Sequence, residues 1–168
     1  MLNCKKLFII RHAKSSWKDS SLNDFDRPLN KRGVLNAPFM GIKLKEKNAL
    51  PDIIISSPAL RAKSTAEIIA KKVKYDKKIV YKRDIYEVGE SAVHKILTNL
   101  DNENSVVFLF GHNPDLNMLA ENYVNFDENI PTCGIVEIEF NCKRWKDISA
   151  KNANLTSFDY PKRYKEVS

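Results

Sequence analysis

Three short, wholly apolar runs constrain this chain more than any other feature. They are LFII at 7–10, III at 53–55 and VVFLF at 106–110. Each has the length of a strand, and none admits a polar residue, the pattern of strands covered on both faces. Segments of helical period separate them. KLFIIR reads as the first strand and LNKRGVLNAPFMGIKLKEK as helical, interrupted by Pro38. DIIIS is the second strand and PALRAKSTAEIIAKKV a helix, with Ala59, Ala62, Ala66, Ile69 and Val73 on one stripe. KIVY is the third strand. SAVHKILTNL is a helix carrying Val93, Ile96, Leu97 and Leu100 on one face. SVVFLF is the fourth strand, and PDLNMLAENYV a helix with Leu116, Leu119, Ala120 and Tyr123 in register. GIVEIEFN and RWKDIS read as a closing hairpin, and the polar, basic tail from about Lys151 as loose packing over the surface. Strands alternating with helices predict an α/β domain with a mainly parallel sheet. A length of 168 residues suits one domain, 1–168, with a substantial core.

The residues at the ends of these runs carry chemistry. The first run ends at Arg11-His12, the second at Ser56-Ser57-Pro58 with Arg61 close behind, and the fourth strand at Gly111-His112-Asn113-Pro114. In a parallel sheet these ends share one edge, where ligands of open α/β sheets bind. Ser57 reads as an N-cap with Pro58 at the first helical position, and Asn113-Pro114 repeats the pattern. An arginine in such a first turn opposes the helix dipole unless an anion is near, and a phosphoryl group suits both the guanidinium fork and the helix amides. Taken alone, Arg61 has a plainer alternative, reaching to Glu67 or water. His12 beside bound phosphate is a capable nucleophile, and Arg11 and Arg61 offset the charge that would repel attack. His12 and His112 lack a third metal ligand. His94 is assigned to the surface.

Charge and cysteine usage narrow the function classes. Lys and Arg number 28 against 21 Asp and Glu, a net charge of +7, which fits an anionic substrate as well as a merely solvated basic surface. The lysines are scattered and no aromatic-plus-basic stripe marks a nucleic-acid platform, so none is expected as a partner. No apolar run approaches the roughly 18 residues of a membrane span. Cys4, Cys133 and Cys142 form an odd set without CxxC spacing, which favours free thiols in a reducing, cytoplasmic setting over disulfides or zinc. A Cys-x5-Arg phosphatase loop fails on spacing, since six residues separate Cys4 from Arg11.

LFIIRHAKSSW, DFDRPLNKRG, DIIISSPALRAKST and VVFLFGHNP together resemble the histidine phosphatase superfamily, most closely its SixA-type phosphohistidine phosphatases, from about Lys5 to Phe140. The resemblance implies a three-layer α/β/α sandwich with a mixed sheet, and neither cofactor nor metal. It implies that His12 becomes phosphorylated and that Arg11, Arg61 and His112 form the phosphate pocket. The implied activity is hydrolysis of a phosphoryl group through phospho-His12, on protein phosphohistidine. A broad-specificity phosphoester phosphatase and a non-catalytic phosphate-binding module are the alternatives, with a monomer acting on a phosphorylated protein or small molecule. One departure is Ala13, where the family usually has glycine; its carbonyl is still expected to hold the second imidazole nitrogen of His12. Glu87 falls near the family's leaving-group acid, with a solvated loop carboxylate as its alternative and Asp84 as a weaker candidate for the role. Lys14 and Ser16 are expected to touch phosphate or substrate, Trp17 to pack on the core, and DFDRP to form a turn before a helix.

Overall fold

The computed structural model describes residues 3–164. Its strands are β1 (Lys5–Arg11), β2 (Ile53–Ser56), β3 (Val80–Tyr81), β4 (Val106–Gly111), β5 (Ile135–Phe140) and β6 (Ala153–Asp159). The helices are α1 (Lys31–Glu46), α2 (Leu60–Lys72), α3 (Glu90–Thr98) and α4 (Asp115–Tyr123). One sheet of six strands runs in the order β3-β2-β4-β1-β5-β6. The four on the β3 side are parallel, and β5 and β6 are antiparallel to their neighbours. This is the mixed, mainly parallel α/β architecture expected.

Period-two alternation divides β1 between two cores. Leu7 and Ile9 join α3, α4 and Trp145 on one face, through Val93, Leu97, Leu116 and Leu119. Phe8 and Ile10 join α1 and α2 on the other, through Ala37, Met40, Leu44, Ala66 and Ile69. The layering is therefore helices, sheet, helices. The small stripe of α2 is buried as expected, which lets the helix lie close to the sheet. Phe108 is fully buried and its ring centroid lies 4.9 Å from that of Phe8. Truncating such a ring to alanine costs about 3–5 kcal/mol.

Several local expectations are corrected. Helix α2 begins at Leu60 with Ala59 at the cap, not at Ser57-Pro58. A residue before proline is held extended, and the Ser57 hydroxyl is engaged elsewhere. Helix α4 begins at Asp115, although Asn113 Oδ1 still accepts from the Asn117 amide at 3.1 Å. Pro38 lies inside α1 without ending it. RWKDIS is not a strand: Trp145–Asp147 is a 3-10 turn, fixed where the Trp145 indole N–H donates to Asn104 O at 2.6 Å. The outer partner of β5 is the tail itself, since β6 pairs with every residue of β5 across one register shift. His94 is half-buried, its Nδ1 2.6 Å from the Tyr123 hydroxyl.

Candidate functional site

The parallel register brings the strand ends together. Arg11 stands opposite Gly111, and Ser56 opposite Phe110. The His12 amide continues the ladder by donating to Gly111 O at 3.1 Å, and the Ser57 amide donates to Phe110 O at 3.0 Å. Gly111 sits in a tight spot, where a Cβ would press on Ile85 Cγ2 at 3.0 Å. Arg11, His12, Arg61 and His112 then line one cavity of about 220 Å³, together with Lys14, Ser15, Trp17, Arg27, Asn113 and Thr132. The ring centroids of His12 and His112 lie 5.2 Å apart.

The ring of His12 is fixed from one side. Its Nδ1 lies 2.7 Å from Ala13 O, and a carbonyl only accepts, so Nδ1 carries the proton and Nε2 keeps its lone pair. The Ala13 amide in turn donates to Thr65 Oγ1 at 2.9 Å, while Thr65 donates to Arg61 O at 2.7 Å. The Ala13 methyl is fully buried among the α1–α2 core residues, so alanine serves in place of glycine without moving the carbonyl off His12. Burial pushes the His12 imidazolium down to about 3, assisted by the charges of Arg61 and Arg11 and opposed by the Ala13 contact. Burial and Arg61 push His112 down to about 4. Both rings are therefore neutral at pH 7. His112 Nε2 lies 2.8 Å from Ser57 Oγ, which also accepts from the Ala59 amide at 3.2 Å. With Ser57 donating to Nε2, the Nδ1–H of His112 is the donor left over.

Three buried side-chain nitrogens lack a hydrogen-bond partner within the protein among the described residues: Arg11 Nε, Arg61 Nε and His112 Nδ1. All belong to residues lining this one cavity. Buried N–H groups left unpaired cost about 1–3 kcal/mol each, and native structures rarely concentrate them without a reason. An oxyanion supplies the acceptors they lack.

The sequence pattern did not disclose what holds Arg61. Its Nη1 donates to Asp24 O at 2.7 Å and its Nη2 to Asp24 Oδ2 at 2.9 Å. The nearby anion that a first-turn arginine calls for is thus partly internal, from a 3-10 turn at Asp24–Asp26 within DFDRP. Tyr86 donates to the same carboxylate oxygen at 2.7 Å, and Arg27 pairs with its other oxygen at 3.1 Å. Burial works against the charge on Asp24, but Tyr86, Arg61 and Arg27 hold its carboxyl down at about 2. Burial and the same contact push the Tyr86 phenol up to about 12.

The remaining expected contacts divide. Lys14 lines the cavity, whereas Ser16 does not: Ser15 takes its place, its Oγ accepting from Arg27 Nη1 at 2.7 Å. Ser16 Oγ turns back to the Lys18 amide at 3.1 Å, a local turn contact. Trp17 is not packed on the core. It is 74% exposed at the cavity rim, with the Arg27 guanidinium carbon 3.5 Å from its ring centroid. Glu87 is exposed, outside the cavity lining, on a left-handed backbone of φ 60°. Asp84 is exposed as well. No acidic residue is among those lining the cavity. Its donors are the arginine guanidiniums, Lys14 and the neutral His112 Nδ1–H, a set suited to an anion.

Comparison with known proteins places the chain among relatives of the same fold. An uncharacterized chloroplastic protein of Arabidopsis thaliana is 27% identical over 155 residues, spanning 87% of this chain and 71% of that one. A candidate phosphohistidine phosphatase SixA from Agrobacterium tumefaciens superposes with a TM-score of 0.80 at 24% identity, covering 94% of this chain and 98% of that one. A protein histidine phosphatase SixA complexed with tungstate gives a TM-score of 0.79 at 20% identity, with 94% and 98% coverage. At these identities the superpositions establish the fold. Residues 7–94, more than half the chain, match the profile of the histidine phosphatase superfamily (branch 1), and the chain belongs to that superfamily.

Proposed function

We propose that the protein is a phosphatase that passes a phosphoryl group through His12, with protein phosphohistidine as its substrate. The observation that carries the reading is the set of three orphaned N–H groups on Arg11, Arg61 and His112 around one cavity. Superfamily membership supports a phosphatase working through a histidine. Nε2 of His12 attacks phosphorus in line, a P–N bond to His12 forms, and the bond to the leaving group breaks. Arg11, Arg61 and His112 hold the non-bridging oxygens, whose charge grows in the transition state. Asp24 positions Arg61 by occupying the outer side of its fork. Water then attacks phospho-His12, releasing inorganic phosphate and restoring the free ring. Glu87, exposed and outside the lining, is not assigned a role in this step.

The choice of phosphohistidine rests on the lining. An alkoxide leaving group needs a proton donor, and no carboxyl lines the cavity, while Asp24 is held ionised. An imidazole leaving a P–N bond needs little such help. Three free cysteines accord with a reducing, cytoplasmic setting. Among the described residues, no helix is long and apolar enough to cross a membrane.

The test offers the enzyme a phosphohistidine protein and an alkyl phosphate at matched concentrations. The expected kcat/KM favours phosphohistidine at least about a hundredfold, the contribution typical of a missing general acid. Equal or better turnover of the alkyl ester would shift the assignment to a broad phosphoester phosphatase. Tight phosphate binding without turnover of either would leave a binding module.

A further inference from the structure

A second cavity, of about 380 Å³, opens beside the first and shares Arg11, Lys14 and Thr132 with it. Arg32, Tyr160 and Lys162 line its far side. Four of its lining residues are thus cationic, and none is acidic. Among the described residues, Arg11, Lys14, Arg32 and Lys162 form no ion pair. Some other surface cations do pair with carboxylates, as Lys43 does with Glu46 and Arg144 with Asp147; what sets these four apart is that they share one concave lining without an acidic residue.

The fold builds this crowding from separate segments. The Asn30 amide donates to Lys14 O at 2.9 Å, and Asn30 Oδ1 accepts from the Gly33 amide at 2.9 Å, capping α1. A Cβ on Gly33 would lie 2.2 Å from Lys14 O, so only glycine lets the first turn of α1 close on Lys14. That closure sets Arg32 beside Lys14, in a turn without an acidic residue to offset it. The opposite wall is a 3-10 turn, Pro161–Arg163, anchored by the buried Pro161 and presenting the exposed Lys162. Like charges gathered in a concave groove raise its potential and attract anions, more strongly than the same charges spread over a convex face.

We propose that this groove is a second oxyanion subsite, taking a carboxylate or phosphoryl group carried by the same molecule whose phosphoryl group reaches His12. The inference rests on reading the first cavity as a phosphoryl site. Arg32 and Lys162 then determine specificity without touching the reacting atoms. An acidic residue flanking a phosphohistidine and a second phosphoryl group on a small molecule present the same chemistry to the groove.

The experiment uses two matched pairs of probes. One pair is a phosphohistidine peptide with acidic flanks and the same peptide with amide flanks. The other is a linear alkanediol bisphosphate and its monophosphate. Binding is read on His12→Ala protein, where no turnover interferes, with the groove intact and with Arg32→Gln/Lys162→Gln. The two-anion member of at least one pair should bind about tenfold tighter to the intact groove, the scale of two partly screened charge pairs. The preference should fall to within about twofold in the double variant and weaken at high salt. The pair that shows it identifies the source of the anion. Both substituted residues are exposed, and the otherwise native enzyme bearing Arg32→Gln/Lys162→Gln should hydrolyse an aryl monophosphate within about twofold of normal, while its KM rises for the two-anion substrate. No preference in either pair, or one that survives the double substitution, overturns the subsite. A preference that stands while no substrate is hydrolysed would overturn the phosphatase reading and leave the subsite in place.

Discussion

The two ends of β1 each draw a cation inward, Lys5 fully buried and Arg11 half-buried, and they treat it differently. At the start, Lys5 is fully buried and its Nζ donates to Asn102 O at 2.6 Å and Asn104 O at 3.3 Å, with the Trp145 ring centroid 5.9 Å away. At the end, Arg11 donates Nη1 to Ile130 O at 2.9 Å, but its Nε is buried without a partner. Burial and the neighbouring Arg61 both disfavour the charged form of Arg11. A buried cation supplied with acceptors belongs to the fold. One left short of them, beside a second arginine, is held ready for a ligand's oxygens.

The contrast is sharpest in paired substitutions. Arg11→Ala and Arg61→Ala should each lower kcat/KM by about 10²–10³, measured on phosphohistidine protein, with little loss of stability for Arg11→Ala because a crowded charge is removed. Comparable turnover in either variant would break the comparison. Lys5→Met should do the reverse. It orphans the Asn102 carbonyl, Asn104 O keeping the Trp145 indole N–H, and should lower unfolding free energy by about 1–3 kcal/mol, read by urea denaturation, with turnover within about twofold of normal.

Acidification provides a third test. The folded-state values of about 3 for His12 and about 4 for His112 lie below the unfolded histidine value. Between those limits the unfolded chain binds more protons, so their contribution to stability is complete above about pH 6.5 and is lost as pH falls toward the folded values. At about pH 5 the loss should be on the order of 2 kcal/mol for each ring. Asp24 acts in a lower window, its contribution present above the ordinary carboxylate value and lost as pH falls through about 2. His12→Asn should remove about half of the stability change between pH 7 and 5; an unchanged urea midpoint shift would contradict the buried, neutral ring. The smallest expected effect is that of Glu87→Gln, less than about twofold on phosphohistidine, since exposed side chains away from a site contribute little. A large loss there would return Glu87 to the chemistry.

Much of this arrangement was legible in the residues. Uninterrupted apolar runs disclosed the strands, and the residues just after them disclosed Arg11, His12, Arg61 and His112, because parallel pairing forces those ends to one edge. The closing strand β6 was hidden, since no residue of ANLTSFD is fully buried and it lacks a clear apolar face. Asp24 was hidden for another reason. A 3-10 turn has no periodicity to read, and its partner Arg61 lies 37 residues on. Arg27 and Tyr86 join the site through that same carboxylate, so missing one concealed all three. Trp17 was misassigned because apolar character favours the core, whereas here its face is taken up by the Arg27 guanidinium at the rim. Local competition bears on the start of α2: the Ser57 hydroxyl is shared between His112 and the Ala59 amide, and the helix begins only at Leu60.

The central claim is that His12 Nε2 carries the phosphoryl group in transit. It is tested most directly by quenching the enzyme during turnover of phosphohistidine protein and locating the phosphoryl group by mass spectrometry under conditions that preserve P–N bonds. The expected result is an acid-labile phosphoryl group on the peptide containing His12, accumulating within the first turnover and absent from His12→Ala, which should be inactive. Steady turnover by His12→Ala, or a phosphoryl group lodged on any other residue, would contradict it.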